Sequence, residues 1–229
     1  MKFASIAAIA VSLAAAPAVA VTYDAYDSFN GSAFAGPFVF FEFDALTGGT
    51  PLANHTSCAV GLDCLLSSGQ PGLGFYKNSG GSPLTAFGTV DVPAHTLFFH
   101  PGQTADAGVL FLAPAAGSYR FQVAFSLLSN TTITGVQLTG YRFSGGSLSA
   151  LGGISLDAQF RSDGAGDTIA LAAGQGLAIG INAAGDYLFD STSISFQVSN
   201  VPEPEVWVLM VAGFGLTGAV LRRCRAISA

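Results

Sequence analysis

Charge is scarce in this sequence. Only 10% of the 229 residues are charged, with 8 basic against 14 acidic side chains and a net charge of −6. The few cations are also poorly placed to hold a nucleic acid. Lys2 stands at the N-terminus and Arg222, Arg223 and Arg225 stand at the C-terminus. Residues 21–200 keep only Lys77, Arg120, Arg142 and Arg161 against twelve carboxylates. No basic patch that neutralises phosphates is built from these, which excludes a nucleic-acid partner. Histidine is equally rare, at His55, His95 and His100. His95 and His100 are five apart and would face opposite sides of one strand, so separate surface or turn histidines are expected rather than a zinc site. No G-x-S-x-G nucleophile elbow occurs. What is abundant is apolar: half of the residues are hydrophobic and 29 are Gly. Such a chain is not a disordered polar one. Its length suits one domain plus sorting segments, or at most two small domains.

Both ends read as addresses. Residues 1–20, MKFASIAAIAVSLAAAPAVA, place Lys2 before an apolar run from Phe3 to Ala16, then Pro17 and the small-residue site Ala18-Val19-Ala20. This order is that of a secretory signal peptide, cut so that the mature chain begins near Val21. It implies the Sec translocon and signal peptidase as partners. At the other end, sixteen uncharged residues, Val206 to Leu221, lie between Glu205 and Arg222. As a helix they span about 24 Å, enough for one membrane crossing if the bilayer thins slightly. Arg222, Arg223 and Arg225 then form a cytoplasmic anchor, and Trp207 sits at the opposite boundary. Gly213 to Gly218 spell G-x-G-x-x-G, but the chain ends eleven residues later, which leaves no room for a dinucleotide fold.

Pro202-Glu203-Pro204, followed by Trp207, a Gly-rich apolar helix and the terminal arginines, resembles the PEP-CTERM sorting signal in its PEP-x-x-W form. The resemblance covers residues 201–229 and departs from the usual pattern at Cys224, which interrupts the Arg run. It implies export in a Gram-negative bacterium that makes exopolysaccharide. It also implies processing near the PEP motif by exosortase, an integral-membrane cysteine enzyme. The chain would then be membrane-anchored for a time and afterwards left at the cell surface or outside. Each proline fixes its own φ and pushes the preceding residue to extended geometry, so the motif is a stiff extended segment that a cleft can read.

Residues 21–200 show short apolar or alternating runs separated by turn residues. Strands are expected over Pro37–Asp44, Gly72–Lys77, Ala86–Val92, Thr96–His100, Gly108–Leu112, Ser118–Ser126, Gly135–Phe143, Ile154–Phe160, Thr168–Leu171, Gly176–Ile181, Asp186–Phe189 and Thr192–Val198. In the sixth run, Tyr119, Phe121, Val123 and Phe125 alternate with Arg120, Gln122, Ala124 and Ser126. Many short strands predict an all-β sandwich or barrel. From Leu97 to about Val198, with Leu97-Phe-Phe-His100-Pro-Gly, Ala113-Pro-Ala-Ala-Gly117-Ser-Tyr119, Leu171-Ala-Ala-Gly174 and Asp190-Ser-Thr192 as its marks, the chain is similar to a jelly-roll-like module of exported PEP-CTERM proteins. The resemblance implies a jelly-roll-like antiparallel β-sandwich, with Gly117 permitting positive φ in a turn and His100 bonding backbone in another.

Cys58 and Cys64 lie in a loop-like segment, Asn54–Gly69, of a chain bound for an oxidising compartment, so a disulfide is expected. Cys224, behind the apolar helix, is expected reduced and unpaired. Asp163-Gly-Ala-Gly166-Asp167 is one residue short of a calcium nonapeptide and occurs once, so a polar turn is expected there. Asp24, Asp27, Glu42 and Asp44 read as solvated loop carboxylates. No metal, cofactor or catalytic residue is assigned. The leading reading is a non-enzymatic exported surface or matrix protein; the second is an exopolysaccharide-binding module, and an enzyme comes third for want of an assembled site. The second would use aromatic rings among Tyr76, Phe87, Tyr141, Phe143 and Tyr187 to stack on sugars. The third would need paired carboxylates from distant strands, as in glycoside hydrolysis.

Overall fold

The computed structural model describes residues 20–44, 48–59, 61–131, 133–201, 213–215 and 217. Val21–Val201 forms one compact unit. The signal-peptide residue Ala18, the sorting residues Pro202, Glu203, Pro204 and Trp207, and Arg222, Arg223, Cys224 and Arg225 lie outside the described residues. Of the expected apolar span, Gly213–Gly215 and Thr217 are described, and they are helical. Among the described residues no helix is long and apolar enough to cross a membrane.

Apart from one helical turn, the regular structure of the body is all strand. In chain order it runs β1 (Thr22–Asp24), a one-turn α1 (Ala25–Ser28), β2 (Phe34–Ala35), β3 (Phe38–Asp44), β4 (Gly48–Pro51), β5 (Asn54–Ala59) and β6 (Leu62–Leu66). Then come β7 (Gly74–Asn78), β8 (Leu84–Ala86), β9 (Val90–Val92), β10 (Thr96–His100), β11 (Asp106–Leu112) and β12 (Gly117–Leu127). The last five are β13 (Val136–Ser144), β14 (Ser147–Leu156), β15 (Ser162–Leu171), β16 (Gly176–Ala183) and β17 (Thr192–Val201). One sheet has the order β15-β12-β17-β10-β7-β6-β5, with β1 also on β17. The other has the order β14-β13-β16-β11-β3-β2, with β4 also on β3. The pairing is antiparallel throughout. In the last eight strands the chain folds back on itself: β10 pairs β17, β11 pairs β16, β12 pairs β15 and β13 pairs β14.

Alternation builds the layer between the sheets. Phe38 and Phe40 of β3, Phe75 of β7, Phe99 of β10, Phe111 of β11 and Phe196 of β17 share one buried cluster. Their rings meet across it edge-on, Phe38 to Phe196 at 5.7 Å and Phe40 to Phe75 at 4.9 Å, a geometry the aromatic quadrupole favours. In β12, Tyr119, Val123 and Phe125 are buried while Arg120, Gln122 and Ala124 are exposed, as the alternation predicts.

Several expectations are corrected. Ala86–Val92 is a hairpin, β8 and β9, turning through Phe87 and Gly88 at positive φ. Asp186–Phe189 is a loop rather than a strand, with Phe189 at φ 66°. Asn54–Gly69 is mostly hairpin, not loop: β5 and β6 pair from Asn54↔Leu66 to Ala59↔Leu62. Asp163 to Asp167 is not a turn but the centre of β15, paired residue for residue with β12. Gly117 opens β12 without positive φ, so the β11–β12 turn does not use the conformation expected of it.

Candidate functional site

Each sheet has apolar residues on its outer face as well as its inner one. On the first sheet, Leu62, Cys64, Tyr76 and Phe98 are covered by Ala86, Val90 and Val92 of the β8–β9 hairpin. On the second sheet, Phe41, Phe43, Leu110 and Ala178 form an equivalent cluster, flanked by half-buried Val39, Tyr141, Phe143 and Leu148. Here no hairpin closes over the cluster among the described residues, and a groove of ≈ 630 Å³ opens instead.

The strand period explains how the groove is made. Phe38 and Phe40 point into the sandwich, so Phe41 and Phe43 point out of it. Both outward rings lie over glycines of the neighbouring strands. Gly108 is the register partner of Phe41, and Gly108 and Gly180 are partners in turn. A Cβ on Gly108 would stand 2.7 Å from Phe41 Cζ. The rings therefore sink to 5% and 7% exposure and make an apolar floor. Tyr141 stands edge-on to Phe43, with centroids 5.6 Å apart and planes at 89°. Tyr141, Phe143 and Leu148 supply the β13–β14 wall, and Gly49 and Pro51 of β4 line the groove as well.

Carboxylates line the same groove, at Asp44 and Asp106. Asp106 accepts a 2.6 Å hydrogen bond from Asn182 Nδ2. Burial lifts its carboxyl above the usual range, the Asn182 bond opposes this, and the charge of Asp44 adds to it. Burial also raises the Tyr141 phenol, opposed by its bond with Thr139 and assisted by Asp106. None of the described lining residues is Lys, Arg or His. Arg142, between the two wall aromatics in sequence, instead donates to Ala170 O at 3.1 Å and Gln175 Oε1 at 3.2 Å.

The aromatics expected to serve as a platform are thus split. Tyr141 and Phe143 come together in the groove. Tyr76 is buried, stacked on Phe98 at 4.9 Å and 10°, with its hydroxyl on Gly72 O. Phe87 is exposed at the β8–β9 tip, and Tyr187 lies 6.3 Å from the His100 ring. These three join no common stripe with the groove. Phe41 and Phe43 were not among the expected platform residues, although an apolar residue at nearly every position of Phe38-Val-Phe-Phe-Glu-Phe43 marks a strand with two apolar faces.

The other marked residues have local roles. Cys58 and Cys64 are joined in a disulfide with Cα atoms 5.9 Å apart. Cys58 is the extra residue of a bulge in β5, since Ser57 pairs Asp63 and Ala59 pairs Leu62. Such a bond fits an oxidising, periplasmic or extracellular setting. His100 ends β10, and its Nδ1 donates to Pro101 O at 2.7 Å; burial lowers its basicity. Asp24 caps α1 through Tyr26 N and Asp27 N. Among the described residues no three His, Cys, Asp or Glu are grouped to hold a metal ion.

No protein-family model matches the chain, and no curated protein matches it. Among solved structures it is similar to a cleaved adhesin domain of Lys-gingipain from Porphyromonas gingivalis, with 11% identity, coverage of 81% of this chain and 99% of that one, and a TM-score of 0.38. It is also similar to a second cleaved adhesin domain of the same protein, with 15% identity, coverage of 46% and 74%, and a TM-score of 0.32. A carbohydrate-binding module from Cellvibrio mixtus lichenase 5A, in complex with cellotriose, gives 15% identity, coverage of 66% and 92%, and a TM-score of 0.26. These TM-scores are low, and the functional reading rests on the residues of this chain.

Proposed function

We propose that this chain is an exported, non-enzymatic bacterial surface or matrix protein whose β-sandwich, read as a jelly roll from the fold-back order of β10–β17, binds a polysaccharide in the groove of its second sheet. One observation carries the reading. The outer apolar cluster of the first sheet is capped by its own hairpin, whereas among the described residues that of the second is left open beside two carboxylates. A sugar ring has an apolar face bordered by hydroxyls. The half-exposed Tyr141 and Phe143 rings suit that face, and the Asp106 carboxylate and Tyr141 hydroxyl suit its edge. The test is a glycan-binding screen on the full-length chain in detergent, beside the Phe143→Ala variant. Binding that the variant loses supports the proposal; a chain that retains no glycan at all overturns it.

The sorting half of the proposal rests on the sequence of residues 201–229. Exosortase reads Pro202-Glu203-Pro204 while the arginines stop translocation. Replacing Pro202 and Pro204 by Ala in a host with exosortase leaves export intact and accumulates uncut chain in the inner membrane. Processing of that variant at the parent's rate would reduce the motif to a linker.

A further inference from the structure

The polysaccharide reading leaves open which sugars the groove accepts, and the charges on its walls narrow the choice. Among the described residues, the ionisable side chains that line it, apart from the Tyr141 phenol, are the carboxylates Asp44 and Asp106. The one cation on the adjoining strand, Arg142, is tied to Ala170 O and Gln175 Oε1. Across Val21–Val201 acidic residues outnumber basic ones three to one. A uronate or sulfated polymer entering here would bring its anions beside these carboxylates, and none of the described residues that line the groove is a cation. Like charges so placed reject a ligand strongly.

An ammonium group meets the opposite situation. Aromatic faces attract cations through their quadrupole, most strongly where several rings share a water-poor site. The groove holds four rings, Phe41, Phe43, Tyr141 and Phe143, and Phe41 and Phe43 contact each other at 5.2 Å. Asp106 stands in the same lining. Its Oδ1 is already engaged by Asn182, which fixes the carboxylate's orientation. A neutral sugar gains ring stacking from this arrangement but nothing from the charge. A sugar bearing a free amine gains both, through a charge-assisted hydrogen bond to the carboxylate and a cation–π contact with the rings.

Building on the polysaccharide reading of the groove, we infer that its preferred ligand is an aminohexose polymer with free amines, such as β-1,4-linked glucosamine, rather than a neutral or acidic glycan. The amine is recognised by Asp106 and the sugar faces by Tyr141 and Phe143.

The experiment is calorimetric titration of the full-length chain in detergent with four matched oligosaccharides: glucosamine hexamer, N-acetylglucosamine hexamer, cellohexaose and a hexauronate. The free-amine hexamer should bind about tenfold tighter than its acetylated and neutral counterparts, the hexauronate should bind least, and the tenfold margin should shrink as salt is raised. In Asp106→Asn the margin should vanish, with the melting temperature recording that the variant is folded. Equal affinity for amine-bearing and acetylated hexamers, or a margin that survives Asp106→Asn, overturns the amine inference and leaves the groove as a sugar site. Failure of all four to bind overturns the polysaccharide reading itself, and the inference falls with it.

Discussion

Phe43 lies over Gly180: a methyl group added at that glycine would meet the ring's Cζ at 2.5 Å. Gly180 belongs to β16 and Phe43 to β3, with β11 between them, so the ring reaches across a whole strand. Gly180→Ala must push the ring up or the strand back. Overpacking of this kind costs about 1–3 kcal/mol. The expected outcome is a melting temperature lower by several degrees, together with weaker glycan binding because the raised ring fills the groove. Thermal unfolding and titration of the same sample check both. A variant as stable as the parent, with unchanged binding, would show that the ring is not seated there.

This relationship was half legible in the sequence. The inward half of β3 follows from alternation, as it does in β12, where Tyr119 and Arg120 take opposite faces. The outward half belongs to residues that alternation assigns to solvent. Only the presence of apolar residues on both faces of Phe38–Phe43 signals a covered or functional outer surface. The glycines beneath the rings are silent until the register places Gly108 opposite Phe41. The mistaken turn at Asp163–Asp167 has a related cause. β15 is an edge strand with residues 162–168 exposed, so it needs no apolar face and shows no alternation. The β5–β6 hairpin was hidden in the same way, by a polar edge strand that holds its place through pairing and a disulfide. Tyr187, Leu188 and Phe189 misled in the other direction, since an apolar run reads as strand wherever it stands.

Tyr141 contributes through its ring more than through its hydroxyl. Tyr141→Phe should keep most of the glycan affinity, while Tyr141→Ala should lower it roughly threefold to tenfold, the range of an aromatic contact. Titration of the two variants side by side is decisive. A loss as large in Tyr141→Phe as in Tyr141→Ala would move the interaction from the ring face to the phenol.

The Cys58–Cys64 bond closes a small loop on the outermost strand of the first sheet. Chain-entropy reasoning gives such a loop about 2 kcal/mol of stabilisation. The paired Cys58→Ala and Cys64→Ala variant should unfold at a temperature several degrees lower while β-rich circular dichroism is retained. Because this hairpin lies on the other sheet from the groove, glycan affinity should not change. A loss of binding with the fold intact would tie the hairpin to recognition, contrary to the reading offered here.

Asp190 gives the domain a pH dependence whose sign is unusual for a carboxylate. The residue is buried, with Gly135 N at 3.4 Å from Oδ1 and the Thr134 hydroxyl at 3.4 Å from Oδ2. Burial pushes its pKa up to about 7; the Gly135 and Thr134 bonds resist this, and the charge of Asp186 adds to it. The folded state therefore holds a proton that the unfolded chain, with an Asp pKa of about 3.9, has released. Between those two values the folded state binds more protons, so this group makes stability fall as pH rises through the window. Below the unfolded pKa both states are protonated and the effect is absent. Above the folded pKa both are ionised and the cost, on the order of a few kcal/mol, is fully present. Asp190→Asn keeps the size and one acceptor but cannot ionise. The variant should gain stability over the parent at pH 8 by more than at pH 4, and its stability should decline less steeply across the interval. Denaturant titrations at four pH values from 4 to 8 measure this directly. Parallel curves for parent and variant would mean that Asp190 stays ionised in the fold, with water reaching the loop between β16 and β17.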